Sequence, residues 1–237
     1  MKKFIITSFL LSLLVVFTSC LGDGSSTEED TTFGVVVRKG SRLLILDSKG
    51  YYTSSPELLT TLNEGDCIHY RRFINFDVQE SNEYYSVSVV DYYKVPYADF
   101  RNNVDTDNII ENEFTISQIN PITLLDDKLF FSTVHPKVAS DQKNNFHIEC
   151  TETPETIDGK RVYNLYVRVV KRVAGEKTET PTALLNVADI SRLIQTEKNA
   201  GNKVLNIKFN YISELKEDAT VATWSSETLY DRISIPE

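Results

Sequence analysis

His147, Glu149 and Cys150 are the neighbouring residues whose types could do chemistry together. In a strand, side chains two residues apart share a face at about 7 Å, so His147 and Glu149 could reach one metal ion. Cys150 beside them invites a nucleophile. Two ligands do not complete a site, however, because a structural zinc needs four. The other histidines, His69 and His135, stand in separate segments without ligand spacing. The simpler reading is a polar outer face beside a small buried thiol. Asp126-Asp127 could pair carboxylates for acid and base work, but adjacent hairpin residues point apart, and turns favour Asp in any case. The chain has no Gly-rich phosphate loop, no Gly-x-Ser-x-Gly elbow and no EF-hand pattern. No cofactor and no metal are expected, and no enzymatic activity.

Aromatic pairs offer a different chemistry. Tyr51-Tyr52, Tyr84-Tyr85 and Tyr92-Tyr93 each place two rings in sequence, so within a strand one ring of each pair faces away from the core. Outward rings stack on sugars or insert into a partner protein. Tyr51, Tyr52, Tyr84 and Tyr92 are the candidate binding residues on this ground. The alternative is that the rings cover a barrel or the seam between two domains.

The elements that must carry these residues are mostly strands. Twelve Tyr and 12 Phe against one Met and one Trp tilt the expectation towards sheet. Residues 34–37, 43–47, 51–52, 66–78 and 83–95 read as five strands punctuated by Lys39-Gly40, Ser48-Lys49-Gly50 and Asn63-Glu64-Gly65, which suits a small OB-like barrel over residues 33–97. Asn, Asp and Glu break the pattern over residues 98–120, read as a linker. Residues 121–237 then read as an antiparallel β-sandwich. Asp126-Asp127 turns a hairpin there; Tyr163, Leu165, Val167 and Val169 face inward opposite Asn164, Arg168 and Arg172, and Leu205, Ile207, Phe209 and Tyr211 form a second inward face. One short helix over residues 190–200 begins after Asp189 and stops at Gly201.

The start of the chain concerns its address. Lys2-Lys3 followed by an apolar run over residues 4–17 reads as a signal peptide over residues 1–19, too short for a membrane span. Phe17-Thr18-Ser19-Cys20 resembles a bacterial lipobox, which implies acylation of Cys20, as with diacylglycerol and palmitate. The membrane is then a partner through that anchor. Residues 20–32, polar and acidic, read as a flexible tether; acids so soon after the lipidated cysteine resemble a signal for export to the cell surface. Of the remaining cysteines, Cys67 is expected to face outward with His69 and Arg71, and Cys150 inward, so a disulfide between them is not expected. The formal charge is −9, and removing a leader that holds two lysines and no acid makes the chain more acidic still. That excludes nucleic acid as an expected partner.

The combination resembles the NigD-like lipoproteins of Bacteroidetes. The stretches that carry the likeness are Leu46-Asp47-Ser48-Lys49-Gly50, Gly65-Asp66-Cys67-Ile68-His69-Tyr70, and residues 201–211. The resemblance implies an N-terminal OB-type domain, a C-terminal β-sandwich and an outer-membrane location in the cell envelope. It carries over no catalytic residues. The function it implies is a non-catalytic binding or interaction protein for a protein, peptide or glycan. Alternatives are an envelope hydrolase with an unrecognised site and a bacteriocin-associated, immunity-type component.

Overall fold

A computed structural model describes residues 27–80, 83–151, 153–216, 221–227 and 230–235. Alternating apolar residues and glycine turns give five strands in the first third of the chain: β1 (Thr27–Lys39), β2 (Arg42–Asp47), β3 (Tyr52–Ser54), β4 (Cys67–Glu80) and β5 (Tyr84–Lys94), with a one-turn helix α1 (Pro56–Leu59). They close a barrel in the order β1-β2-β3-β5-β4. β1 serves two neighbours, pairing β4 through its first part (Thr27↔Asn75 to Val35↔Cys67) and β2 through its second (Gly34↔Asp47 to Lys39↔Arg42). The changeover needs glycine, since a Cβ on Gly34 would collide with the Ile45 side chain.

The barrel interior is apolar at one end, with Val36, Ile45, Leu58, Leu62, Ile68 and Tyr70 packed together. Further along, it encloses a charge. Arg72 is fully buried and pairs with Asp30 of β1 at 2.9 Å and Asp47 of β2 at 2.6 Å, while donating to the Tyr70 hydroxyl at 3.2 Å. Burial raises the Asp30 carboxyl, but hydrogen bonds from Arg72 and Lys49 outweigh it and leave it below its ordinary value.

Strand β1 therefore takes in residues 27–32 of the expected tether. Glu28 and Asp30 pair with Lys49 at 2.5 and 2.8 Å, and Glu29 lies 3.6 Å from Arg71, so the acids of 28–30 are strand residues held by basic partners. The lipidation site expected at Cys20, and the leader before it, lie outside the described residues.

The second unit comprises β6 (Asp99–Arg101), β7 (Gln118–Leu125), β8 (Lys128–Ala139), β9 (Lys143–Cys150), β10 (Glu155–Ile157), β11 (Lys160–Val173), β12 (Glu179–Asp189), α2 (Ser191–Asn199), β13 (Val204–Leu215), β14 (Ala222–Ser226) and β15 (Tyr230–Ser234). One sheet runs β14-β13-β11-β9-β6, with β10 on β11 and β15 on β13; a second runs β12-β8-β7. Between them lie Tyr163, Leu165, Val167, Val169, Leu205, Ile207 and Phe209, the inward faces expected from alternation, all at most 1% exposed. Most pairings are antiparallel, but β11 with β13 and β6 with β9 run parallel. The first parallel pair follows from the return path through β12 and α2. Ile190, Leu193 and Ile194 press the helix end into the core, and Gly201 stops it with φ +77°.

Arg168, expected on an outer face, is buried instead. Residues 102–114, expected as a linker, fold over it: its guanidinium donates to Glu113 at 2.8 Å through both Nε and Nη2, to the Asp105 carbonyl at 2.6 Å and to the Asn108 carbonyl at 2.5 Å. Asn164 is buried on the same strand. The chain passes from barrel to second unit at Tyr97, where Val187 of β12 bonds the backbone of Pro96 and Ala98. An apolar seam of Val35, Cys67 and Val95 against Leu125, Phe130 and Val187 joins the two.

Replacing Arg72 by Met is expected to destabilise the protein by about 3–5 kcal/mol, because it strands buried carboxylates. Arg72→Met with Asp47→Asn should recover part of that loss. Denaturant midpoints of the two variants check the ordering, and equal stability of Arg72→Met and the natural chain would contradict it.

Candidate functional site

Because side chains alternate along β4, the residues between the buried Ile68, Tyr70, Arg72 and Ile74 point out: His69, Arg71 and Phe73. Strand register then supplies neighbours. His69 stands between Phe33 of β1 and Tyr93 of β5, with ring centroids at 4.9 and 5.1 Å. One rung further, Arg71 stands between β1 and β5, 3.6 Å from Glu29 and 3.5 Å from Asp91. A bulge between Arg71 and Arg72 in the β4–β5 pairing leaves Val90 unmatched, and residues 90–94 are all exposed. The result is an open groove of about 630 Å³ lined by Thr31, His69, Arg71, Asp91, Tyr92 and Tyr93. Tyr92 closes one side with its hydroxyl 2.9 Å from Thr61 Oγ1. Burial holds the His69 ring below its ordinary pKa against the pull of Asp91, so the groove presents a neutral imidazole, an arginine and the Asp91 carboxylate.

Of the four tyrosines singled out by sequence, only Tyr92 lies in this groove. Tyr84 is buried rather than outward, because its hydroxyl accepts a hydrogen bond from Arg42 at 2.9 Å at the base of the β1–β2 turn. Tyr52 is half-buried beneath Lys39 Nζ, 4.5 Å from the ring centroid, and Tyr51 packs against Phe76 and Tyr85. Tyr93, named with Tyr92 as a pair, and Arg71 and Asp91 were not among the candidate binding residues. Alternation along β4 marks Arg71 as outward, but only the bulged register brings Asp91 and Tyr93 to it.

The cluster of His147, Glu149 and Cys150 does not share one face open to water. His147 Nδ1 lies 3.3 Å from Asp99, whereas Glu149 is buried, 3.5 Å from Arg168, and accepts the Asp105 N–H at 3.0 Å. Burial pushes the Cys150 thiol up to about 12. Cys67 is also buried and free, because the second unit covers that end of the outward face of β4; burial pushes its thiol to about 12 despite a hydrogen bond with Tyr97 at 3.1 Å. Asp126, with φ +58°, and Asp127 form the β7–β8 turn, and Asp127 pairs with Lys128 at 2.5 Å. Among the described residues no group of three or more His, Cys, Asp or Glu could hold a metal ion.

Residues 24–93 match the lipoprotein OB domain family. The five-stranded closed barrel is thus similar in sequence and form to that OB domain. Solved structures extend the likeness over both units: an uncharacterized protein from Parabacteroides merdae (22% identity, TM-score 0.74, covering 88% of this chain and 100% of that one) and a candidate lipoprotein from Bacteroides fragilis (12%, 0.58, 84% and 97%). A NigD-like immunity protein from Bacteroides caccae aligns more loosely (11%, 0.47, 84% and 91%). No curated protein matches the chain. The likeness to Bacteroidetes lipoproteins with an OB domain, expected from sequence, is met.

Buried His135 makes the fold sensitive to acid. Its Nδ1–H donates to the Thr115 carbonyl at 2.9 Å, which leaves Nε2 to accept from Thr133 at 2.8 Å. Burial lowers its pKa, as it does for His69 and His147, below the ordinary 6.5. The unfolded chain thus takes up protons near 6.5 that the folded one refuses, so this stability is complete above that value and lost as pH falls below it. Melting temperature should fall between about pH 7 and 5, before carboxylates titrate. His135→Gln should flatten that slope; an unchanged slope would count against the assignment.

Proposed function

We propose that the chain is a lipid-anchored, non-catalytic binding protein of the outer membrane that holds a polypeptide partner in the groove on the β1–β4–β5 face of its barrel. The observation that carries this reading is the exposed run of residues 90–94 over His69 and Arg71. Tyr and Arg dominate the energetics of protein interfaces, and Arg71, Tyr92 and Tyr93 meet here beside exposed Phe73 and Val90. An open, shallow groove suits a partner's surface better than an enclosed small molecule. Asp91 in the groove and Glu29 beside it both face its one arginine, which disfavours a phosphate backbone. The anchor is supported by the leader and Cys20 in the sequence and by the lipoprotein character of the matched family. The non-catalytic part is supported by the raised pKa of both thiols and by Glu149 being held by Arg168 and Asp105.

Capture from membranes of the producing cell, followed by titration of the recovered partner, tests the reading. Tyr93→Ala and Arg71→Ala should each weaken binding by roughly tenfold or more, in line with interface anchors, while Tyr52→Ala should leave it unchanged. Affinity indifferent to both groove variants would overturn the assignment. Retention on a glycan array, lost with Tyr93→Ala, would replace the polypeptide by a carbohydrate.

A further inference from the structure

Three rings meet at the end of the barrel away from the second unit. Tyr51 lies 5.4 Å from Phe76 and 5.6 Å from Tyr85, and Phe76 lies 5.4 Å from Tyr85, all edge-on. Tyr51 is 37% exposed and the other two are half-buried. None of the three lines the groove. This end also carries the start of β1: Thr27 pairs with Asn75, next to Phe76, and Lys49, in the turn before Tyr51, bonds Glu28.

Two lengths bound where this end can lie. Cys20 precedes Thr27 by seven residues, which span at most about 25 Å. Along β4, Asn75 is eight residues from Cys67 at the seam, roughly 26 Å. An acyl chain on Cys20 therefore keeps the Thr27 end within about 25 Å of the bilayer, and the seam can stand up to about 26 Å farther out.

We propose that the Tyr51–Phe76–Tyr85 cluster rests in the headgroup layer of the bilayer that holds Cys20, standing the barrel on that end with the second unit outward. This rests on the lipid-anchor part of the proposed function. Tyr51 and Tyr85, apolar in body and polar at the tip, settle at that depth, and Phe76 adds apolar area between them. The charges beside them select the surface: Lys49, the cation at the cluster, is already paired with Glu28 and Asp30, so zwitterionic headgroups suit it better than anionic ones. The groove, on the side of the barrel between the two ends, stays open to a partner in this pose.

Trp224, the only tryptophan, sits in the second unit and serves as the distant reference. The acylated full chain and the variants Trp224→Phe/Tyr51→Trp and Trp224→Phe/Tyr85→Trp are placed in phosphatidylcholine vesicles whose acyl chains are brominated near the headgroup. Near-ultraviolet circular dichroism checks each fold. Fluorescence at position 51 or 85 should be quenched several-fold more than at Trp224. Equal, weak quenching at all three positions in protein that still floats with the vesicles would overturn the patch and leave the anchor standing. Failure of the acylated chain to float would remove the anchor and the patch together.

Discussion

Closing a five-stranded barrel around a guanidinium is the constraint on which the first unit depends. Arg72 comes from β4, Asp30 from β1 and Asp47 from β2, so one buried cation ties three strands. A buried charge without partners is strongly unfavourable, so the arrangement in which both acids reach it is set apart from near alternatives. The same residues fix the outer surface. Arg71 and Thr31, each one step along from a member of the ion pair, must point the opposite way, and there they line the groove. Interior charge and exterior groove are two faces of the same backbone register.

The second unit gives the groove its boundary. Its seam covers Val35, Cys67 and Val95, and Phe130 reaches up to Phe33, 5.3 Å between ring centroids. Phe33 in turn touches His69, so packing between the units continues into the first groove residue. Tyr97 binds the junction by donating its hydroxyl to the Gly65 carbonyl at 2.6 Å.

Sequence made the strands legible because their signals are local: two-residue alternation in 163–169 and 205–211, and turn residues at Gly40, Gly50 and Asp126-Asp127. It misjudged residues whose partners are distant. Glu28, Glu29 and Asp30 look like a solvated tether until Lys49, Arg71 and Arg72 are brought to them across the barrel. Residues 102–114 look like a linker because nothing near them in the chain announces Arg168. The binding face was half legible for the same reason. Tyr92 stands out by type, but the bulge opposite Arg71 and Arg72 decides which side chains join it, and a bulge leaves no composition signal here.

The two buried thiols bear on how the fold meets oxidants. Only the thiolate attacks a disulfide, and both sulfurs are held almost wholly protonated, one sealed at the seam and one within the sandwich. In oxidising surroundings, sulfurs held this way present almost no thiolate to disulfide exchange. Protection of both sulfurs therefore comes from packing, at the seam for one and inside the second unit for the other.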